Sequence, residues 1–394
     1  MEYRKIHADE LAASSRIMAQ AFHFKDFKEA ENDTGDKHEY LYGAFDDDHV
    51  MRCTLSAPPR QVNYYGQFVP MAAVGGVASL PEARKGGNMR NLITFMLQDA
   101  KARGDKLSAL YPFSHEFYRK FGYEVCARKK HVFLLMDALK NYPDHGSVQQ
   151  FFPGMDETVL QNIYQTWIQE CNLTFESAGK QQKKWDKNPY TDRHYVYIWY
   201  DDDGTAKSYL HYSRETQKEE LIYKIHELCY TCREGLFGMF GFMKRLSAQS
   251  RGFSWDIPEP LDPLLMFPEP YIVQSEMHEY VFGMARLVDI PWCLENKPWP
   301  QVQDTLTIRV TGDVLSENNG VYKVTLGEKI TCEKISDDVV ADMETSIQVL
   351  SMLALGTQNA ETLLSIRPDF KVNSKKELIF ASFPRRYVHL NVYF

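Results

Sequence analysis

The sequence contains no run of eighteen apolar residues, and its first residues lack the apolar core of a signal peptide. These absences argue against a membrane-spanning helix and against secretion, so we expect a cytoplasmic protein that does not act at a membrane. The net charge is −8, which argues against general nucleic-acid binding and favours attraction of a cationic substrate.

The chain has few cysteines, seven in number, and their spacing is irregular. This pattern is typical of reduced thiols and argues against a disulfide framework. Cys229 and Cys232 have the spacing of a zinc or redox pair, but no second pair or histidine partner follows, so we expect a buried structural pair. The acidic triplet at residues 46–48 is expected to form a solvated turn. We therefore expect no metal ion.

At 394 residues the chain exceeds the usual length of one domain, so we expect two or three domains. Apolar residues make up 44% of the chain, which is enough to build a core in each domain. Residues 1–140 alternate between strand and helix patterns, and residues 141–284 show a similar mixture. Residues 285–394 form a third block behind a proline-rich stretch. The predicted class is mixed α/β (α+β).

Two patterns in the third block predict specific elements. The apolar stretch at residues 343–355 predicts a helix. Near the end of the chain, the apolar side chains alternate, which predicts a half-buried strand that reaches the last residue. The alternating residues are Val388, Leu390, Val392 and Phe394. Most chains end in a frayed polar tail, so an apolar end of this kind indicates an ordered terminus.

The most informative stretch is the junction of a strand and a helix at residues 71–103. An apolar strand over 71–78 leads into a loop with Gly86 and Gly87, and a helix is predicted over 88–103. Amide groups at a helix N-terminus favour a bound phosphate, and the glycines let the backbone approach it. Formal positive charge comes from Arg84, Lys85 and Arg90. The spacings of a P-loop and of a dinucleotide fingerprint are missing, and a solvated helix start is the alternative interpretation.

A second segment lies beyond the next predicted strand, which covers residues 106–111. This segment reads Phe-Tyr-Arg-Lys-Phe-Gly-Tyr-Glu at residues 117–124. Together with the loop Arg84-x-x-Gly87-x-Met89, it resembles the GNAT N-acetyltransferases. The resemblance implies that the loop grips the pyrophosphate of acetyl-CoA and that the second segment places a tyrosine near the thioester sulfur. Met89 departs from the family, which usually has Gly or Ala there, and its larger side chain could crowd the cofactor.

The whole chain resembles the enhanced intracellular survival (Eis) group of these enzymes. Members of this group join a catalytic GNAT domain, a second GNAT-like domain and a C-terminal sterol-carrier-protein-like α+β domain. The resemblance implies a catalytic domain at residues 1–140 and a degenerate GNAT-like domain, unable to hold CoA, at residues 141–284. The sterol-carrier-like domain would then occupy residues 285–394. An assembly of identical chains, with a homohexamer as the expected form, is also implied.

The resemblance assigns contacts with acetyl-CoA to particular residues. The backbone of Gly75, Gly76 and Val77 would pair with the pantetheine arm. Ser114 and His115 would lie beside the cofactor. The loop residues that would wrap the pyrophosphate are Lys85, Gly86, Gly87, Asn88, Met89 and Arg90.

By the same resemblance, catalysis would rest on Tyr118 and on the end of the chain. Tyr118 would be the general acid that protonates the departing CoA thiolate, and the α-carboxylate of Phe394 would be the general base for the attacking amine. The alternatives are a packing role for Tyr118 and His115 as the base. Asp26 and Glu29 would either line an acidic mouth for a polyamine-like substrate or belong to a solvated face.

These roles predict an acetyl-CoA-dependent N-acetyltransferase that attacks the thioester directly. Its substrates would be primary amines of aminoglycoside-like, polyamine or lysine-type molecules. Two alternatives remain open, namely an aminoacyl-tRNA-dependent peptidyltransferase and a non-enzymatic lipid or acyl carrier that works through the C-terminal domain. The acidic net charge and the CoA loop argue against the peptidyltransferase.

Overall fold

The computed structural model describes residues 1–23, 36–176, 185–217, 220–258, 261–267 and 277–394. Helices and strands are both abundant in these residues, which confirms the predicted mixed α/β (α+β) class. No helix among them is both long and apolar enough to cross a membrane. The predicted substrate residues Asp26 and Glu29 lie outside the described residues.

The helices of the described residues are short, and we number them in chain order. They are α1 (Leu11–Phe22), α2 (Asn88–Arg103), α3 (His115–Arg119), α4 (Thr158–Ile168), α5 (Arg233–Met243), α6 (Pro263–Met266), α7 (Ile290–Glu295), α8 (Ile347–Leu355), α9 (Ala360–Ile366) and α10 (Lys376–Ser382).

The strands are numbered in the same way. They are β1 (Glu2–Lys5), β2 (Leu41–Phe45), β3 (Met51–Ser56), β4 (Pro59–Tyr64), β5 (Gln67–Ser79), β6 (Leu107–Leu110), β7 (Glu124–Leu135), β8 (Ser147–Phe151), β9 (His194–Tyr200), β10 (Ala206–Gln217), β11 (Glu220–Tyr230), β12 (Gly252–Ile257), β13 (Met277–Leu287), β14 (Asp304–Thr311), β15 (Gly320–Leu326), β16 (Thr331–Ile335), β17 (Met343–Ser346) and β18 (Phe370–Val372).

The chain forms two compact units that do not follow simple sequence order. Unit 1 contains residues 1–126, 283–386 and 393–394, and unit 2 contains residues 127–282 and 387–392. The chain therefore enters unit 2 a second time near its end and returns to unit 1 for its last two residues.

The first sheet of unit 1 has the strand order β1-β2-β3-β5-β6-β13, with β4 paired to β5. Only β5 and β6 among these neighbours run parallel, and helix α2 makes the crossover that a parallel pair requires. The sheet buries one face of α2, since Leu92, Ile93, Met96, Leu97 and Ala100 recur at helical spacing and are all buried.

The second sheet of unit 1 has five strands in the order β16-β15-β14-β17-β18. The prediction of one helix over residues 343–355 is wrong at its start. Met343–Ser346 pairs with β14 as strand β17, and helix α8 begins only at Ile347. Ser346 explains the change, because its side chain accepts a hydrogen bond from the amide of Val349 and so starts the helix there.

Unit 2 contains a sheet with the order β7-β12-β11-β10-β9-β8, in which β11 and β12 run parallel. Helices α4 and α5 pack against β10 and β11. Cys229 is buried in this unit, whereas Cys232 is exposed, and both are free thiols. The expectation of a buried pair is therefore wrong for Cys232, which lies at the N-cap of α5 instead.

The predicted terminal strand is also wrong. Residues 387–392 make a single isolated bridge, from Val388 to Asn172, and the consecutive residues Val388, His389 and Leu390 are all buried. The backbone of this segment bonds to a loop rather than to a strand. Asn172 donates its amide to the carbonyl of Tyr387 and accepts the amide of His389. The segment is thus buried on more than one side. Burial does not alternate from one residue to the next, as it would in a half-buried strand.

His389 is a buried histidine of unit 2. Its ring packs edge-on against Trp167, with 5.6 Å between the centroids. Burial, with a smaller contribution from Lys129, lowers the pKa of His389 to about 3. An unfolded histidine has a pKa of about 6.5, so the unfolded chain takes up a proton at higher pH than the folded chain does. The free energy of unfolding therefore falls as the pH drops through this window.

We predict that replacing this histidine by leucine flattens the acid dependence of stability. Between about pH 6.5 and 3, the wild-type free energy of unfolding should fall more steeply than that of His389→Leu, by up to about 1.4 kcal/mol per pH unit. Urea unfolding at a series of pH values measures the two slopes. His278→Leu, at an exposed histidine of the same unit, is the control and should keep the wild-type slope. Equal slopes for wild type and His389→Leu would contradict the prediction.

Candidate active site

The site begins where strands β5 and β6 separate. Their parallel pairing runs from Met71 to Val74 on β5 and ends there, although β5 continues to Ser79. On the other side of β5, the register with β3 shifts, because Thr54 faces Ala78 and Ser56 faces Gly75. Three residues of β5 thus span two of β3, which is a β-bulge and bends the strand. Beyond Val74, residues 75–79 of β5 form no ladder with β6, so an extended ligand can pair along that edge.

A cavity of about 970 Å³ in unit 1 adjoins this part of β5. Its lining residues come from the end of α1, the end of β5, the loop before α2 and the segment before α3. They are Ala21, Phe22, Val77, Ala78, Ser79, Ala83, Arg84, Lys85, Gly86, Gly87, Asn88, Met89, Arg90, Phe113 and Phe117. The cavity stays open beside Met89, whose side chain packs against the core of unit 1. Met89 therefore forms a wall without filling the space.

The start of helix α2 gives the cavity its positive character. Gly87 is the N-cap, with φ of +79°, a left-handed conformation that favours glycine. No side chain caps the helix at this position, so its first amides keep their hydrogen-bonding capacity. Arg84, Lys85 and Arg90 add formal charge, and none of them pairs with a carboxylate among the described residues. Amides and guanidinium groups in this arrangement are suited to a diphosphate.

Tyr118 lies on the short helix α3 beside the cavity. Ser114 caps this helix by accepting a hydrogen bond from the amide of Phe117, over 3.3 Å. The Tyr118 side chain is 2% exposed and packs against the rings of Phe113 and Phe117, with centroids 5.2 and 5.1 Å away. Both of these phenylalanines line the cavity. An ordinary phenol is already protonated at neutral pH, and burial raises the pKa of Tyr118 further above its usual value.

The end of the chain lies against the same part of unit 1. Tyr111, the residue after β6, stacks on Tyr393 with 4.4 Å between centroids and contacts the ring of Phe394 at 4.9 Å. A methyl group built at Gly75 would lie 3.8 Å from the terminal carbonyl oxygen of Phe394 and 4.0 Å from its carboxyl carbon. The terminal carboxylate thus adjoins β5 at the point where β5 and β6 separate.

Gly75, Gly76, Ser114 and His115 are predicted site residues that are not among the residues lining the cavity. Gly75 and Gly76 precede the cavity-lining residue Val77 on β5, and Ser114 and His115 start helix α3. The Nε2 atom of His115 is buried and has no hydrogen-bond partner among the described residues. Sequence reasoning did not select Tyr111, Phe113 or Phe117 for the site. Their signal was the aromatic cluster around the Pro112 turn, which sequence alone cannot separate from ordinary core packing.

Comparison with protein families agrees with these features. Residues 2–126 match a family model described as an acetyltransferase (GNAT) domain, and residues 177–287 match a second GNAT acetyltransferase model. Residues 290–367 match a sterol carrier protein domain. No match was found among curated proteins.

Several solved structures share the fold over the full length of the chain. A probable N-acyltransferase of Enterococcus faecalis V583 is 22% identical, with a TM-score of 0.83 over 100% of this chain and 99% of its own. A GCN5-related N-acetyltransferase of Anabaena variabilis ATCC 29413 is 19% identical, with a TM-score of 0.82 and 100% of both chains covered. Eis1 of Mycobacterium abscessus is 16% identical, with a TM-score of 0.80 and 100% of both chains covered. The chain thus contains two GNAT acetyltransferase domains and a sterol carrier protein domain, and over its full length it shares the fold of Eis1.

The candidate site lies in the unit that contains the first GNAT match and the sterol carrier match, both of which fall wholly within unit 1. The second GNAT match lies in unit 2 except for its last residues, 283–287. The predicted domain boundaries at residues 140 and 284 stay predictions. GNAT domains use acetyl-CoA, and the cavity of about 970 Å³ with its basic loop is suited to such a cofactor.

The charge of the loop leads to a binding prediction. Arg90→Gln removes an exposed charge beside the amides of α2, so the Kd for CoA should rise about three- to tenfold at low salt. The difference should shrink at high ionic strength, because salt screens exposed charges. Isothermal titration calorimetry at two salt concentrations measures both effects. Lys371→Gln, at an exposed lysine on β18, is the control and should leave the Kd unchanged. An unchanged Kd for Arg90→Gln at low salt would contradict the charge argument.

Proposed function

We propose that this protein transfers the acetyl group of acetyl-CoA to a primary amine, by direct attack of the amine on the thioester. The observation that carries the proposal is the cavity beside the start of α2, at the end of β5. Two further groups support it, namely the buried phenol of Tyr118, which packs against the cavity-lining rings of Phe113 and Phe117, and the terminal carboxylate of Phe394 beside Gly75. Each supplies one requirement of acyl transfer, namely cofactor binding, an acid and a base.

In this proposal the cofactor extends from the α2 loop to the separated strands. The backbone of Lys85, Gly86, Gly87, Asn88, Met89 and Arg90 wraps the pyrophosphate. The pantetheine arm pairs with the edge of Gly75, Gly76 and Val77, which β6 does not cover. An amide near Val77 polarises the thioester oxygen and stabilises the charge that develops there. Ser114 and His115 lie beside the cofactor at the start of α3.

Tyr118 acts as the general acid. The thiolate of CoA leaves as the tetrahedral intermediate collapses, and a thiol pKa of about 8.5 makes it a modest leaving group. The phenol of Tyr118 carries a proton at neutral pH, as an ordinary phenol does, and can donate it to this sulfur. The neighbouring rings of Phe113 and Phe117 keep water away from the phenol and hold its ring in place.

The α-carboxylate of Phe394 acts as the general base. A free ammonium group has a pKa of about 10.4, whereas an ordinary terminal carboxylate has one of about 3.5. The nitrogen therefore attacks as the neutral amine, and the carboxylate takes up its proton as the bond to carbon forms, because that bond makes the nitrogen far more acidic. Stacking of Tyr111 on Tyr393 fixes the chain end for this purpose.

The substrate class follows from charge and chemistry. A cationic amine is attracted by the net charge of −8 and by the terminal carboxylate. Aminoglycoside-like, polyamine and lysine-type amines all meet this description, and Asp26 and Glu29 are proposed to line the entrance for them. A cytoplasmic location and a homohexameric assembly also belong to the proposal.

The reaction and the role of Tyr118 can be tested together. We expect wild-type protein to release free thiol from acetyl-CoA when supplied with a panel of aminoglycosides, polyamines and lysine peptides. Tyr118→Phe should lower kcat by about 10²- to 10⁴-fold, the usual contribution of a general acid, and leave the Kd for CoA unchanged. Tyr322→Phe removes another buried hydroxyl of unit 1 and should keep wild-type kcat. Absence of thiol release with every amine would refute the proposed reaction.

The base assignment has its own test. One glycine added after Phe394 moves the terminal carboxylate by about 3.5 Å, so kcat should fall at least 10²-fold while CoA still binds. Tyr111→Ala removes the ring that holds the chain end and should give a smaller loss of kcat. A glycine added before Met1 is the matched control. Full activity of the C-terminally extended protein would overturn the role of the carboxylate and leave that of Tyr118 untouched.

A further inference from the structure

The segment that follows Tyr118 is held by residues from far along the chain. We call residues 119–124, which run from the last residue of α3 to the first residue of β7, the exit segment. Three of its oxygen acceptors bond to donors on Arg286, Gln348 and Arg367. Gln348 and Arg367 belong to the sterol carrier match, whereas Arg286 lies at the end of the second GNAT match. All of these residues belong to unit 1.

Arg286 is the central donor of this group. It is fully buried, and its Nη1 atom donates to the carbonyl of Phe121. Its Nη2 atom donates to both carboxylate oxygens of Asp313, over 2.8 and 2.7 Å, and its Nε atom donates to the carbonyl of Leu287. Burial of an ion pair is costly unless each group is fully hydrogen-bonded. The pair therefore fixes the guanidinium in one position, against the end of α3.

Gly122 brings the exit segment into contact with this guanidinium. Its φ is +82°, and a methyl group built there would lie 2.9 Å from Nη1 of Arg286 and 3.0 Å from Cγ2 of Ile347 on α8. A larger residue would meet both a left-handed backbone and a clash with two fixed neighbours. The turn after α3 therefore packs closely against Arg286 of β13 and Ile347 of α8.

The other two donors hold the two ends of the exit segment. Gln348 on α8 donates its Nε2 hydrogen to the carbonyl of Arg119, the last residue of α3, over 2.8 Å. Arg367, just after α9, donates to the carboxylate of Glu124 over 2.8 Å, and that carboxylate also accepts from Arg119 over 2.7 Å. Donors with positive character at a helix C-terminus satisfy its unpaired carbonyls and its dipole.

Helix α3 needs such support because it is only five residues long. A helix of this length does not persist on its own, so both of its ends depend on external partners. Ser114 holds the first end, and the sterol-carrier-like residues hold the second. Tyr118 lies one residue before the carbonyl that Gln348 binds. A shift of about 1 Å at a catalytic group can cost 10²-fold in rate.

We propose that Gln348, Arg367 and Arg286 are positioning residues for Tyr118, so that the sterol-carrier-like domain orients the general acid of the GNAT domain. The inference rests on the proposed function of Tyr118. It gives the third domain a part in acyl transfer that needs no lipid ligand.

The test is a double-mutant cycle on Gln348, whose side chain is partly exposed and whose removal spares the buried ion pair. In otherwise wild-type protein, Gln348→Ala should lower kcat about 5- to 30-fold and change the KM for acetyl-CoA less than twofold. In Tyr118→Phe protein, the same substitution should change kcat less than twofold, because the group that it positions is gone. Gln348→Lys keeps a donor and should restore most of the activity. Lys323→Ala, on the exposed face of β15, is the control.

Hydrogen exchange supplies a readout that does not depend on activity. In the absence of any substrate, amides of residues 115–122 should exchange faster in Gln348→Ala than in wild type, whereas those of α2 should not change. An equal loss of kcat in the wild-type and Tyr118→Phe backgrounds would overturn the proposal, as would unchanged kcat together with unchanged exchange. Failure of the wild-type protein to release thiol would instead refute the proposed reaction, and the exchange measurement would still decide whether Gln348 holds α3.

Discussion

The separation of β5 from β6 is the constraint on which the rest of the candidate site depends. Parallel pairing ends at Val74, and beyond it the register of β5 with β3 shifts between Gly75 and Ala78. A continuous sheet would have used these backbone groups for its own ladder. Since β6 does not use them, an extended cofactor arm can bond there, and the cavity beside α2 opens at the same place. The fold thus provides an edge for an extended ligand, because the end of β5 has no ladder with β6.

The same separation explains why three distant parts of the chain meet at one point. Tyr111 and helix α3 follow β6 directly, so they lie where the two strands part. The chain end fills part of the gap, because Tyr111 stacks on Tyr393 and the carboxylate of Phe394 adjoins Gly75. In the proposed reaction, Tyr118 as the acid and the terminal carboxylate as the base require no further catalytic side chain. The proposed site therefore uses few catalytic groups, and each of them has to be held in an accurate position.

The buried hydrogen-bond network around Arg286 contributes to the position of the segment that follows Tyr118. Arg286 and Asp313 have side chains with no exposure, and their hydrogen bonds are shared between the GNAT part and the sterol-carrier-like part of unit 1. The core of this unit is also continuous, since residues of α2 and β6 pack in one cluster with Met284, Val288 and Leu315. An apolar core alone tolerates small sliding movements, whereas a fully bonded buried ion pair has one geometry. In the proposal, the sterol-carrier-like domain therefore packs against the GNAT core and also holds the segment that follows Tyr118.

The sequence by itself determined the local features of this protein. The loop from Arg84 to Arg90, the helix that follows it and the segment around Tyr118 have chemical and periodic signatures within a few residues, and the family resemblance extends from these. The division into two GNAT domains and a sterol-carrier-like domain was predicted in the same way and is confirmed by the family matches. Local hydrogen bonding and side-chain periodicity act over one or two turns, so sequence patterns report them well.

Tertiary structure decided the features that join distant residues. The terminal segment has apolar residues that suggested a strand, but its backbone bonds to the loop at Asn172, and only contacts distant in sequence reveal that choice. Residues 343–355 looked helical throughout, yet pairing with β14 makes the first four a strand. Tyr111, Arg286 and Gln348 have ordinary sequence surroundings and acquire their roles from partners between about 160 and 280 positions away. Packing of this kind depends on the whole chain, because burial and register are settled by neighbours in space and not by neighbours in sequence.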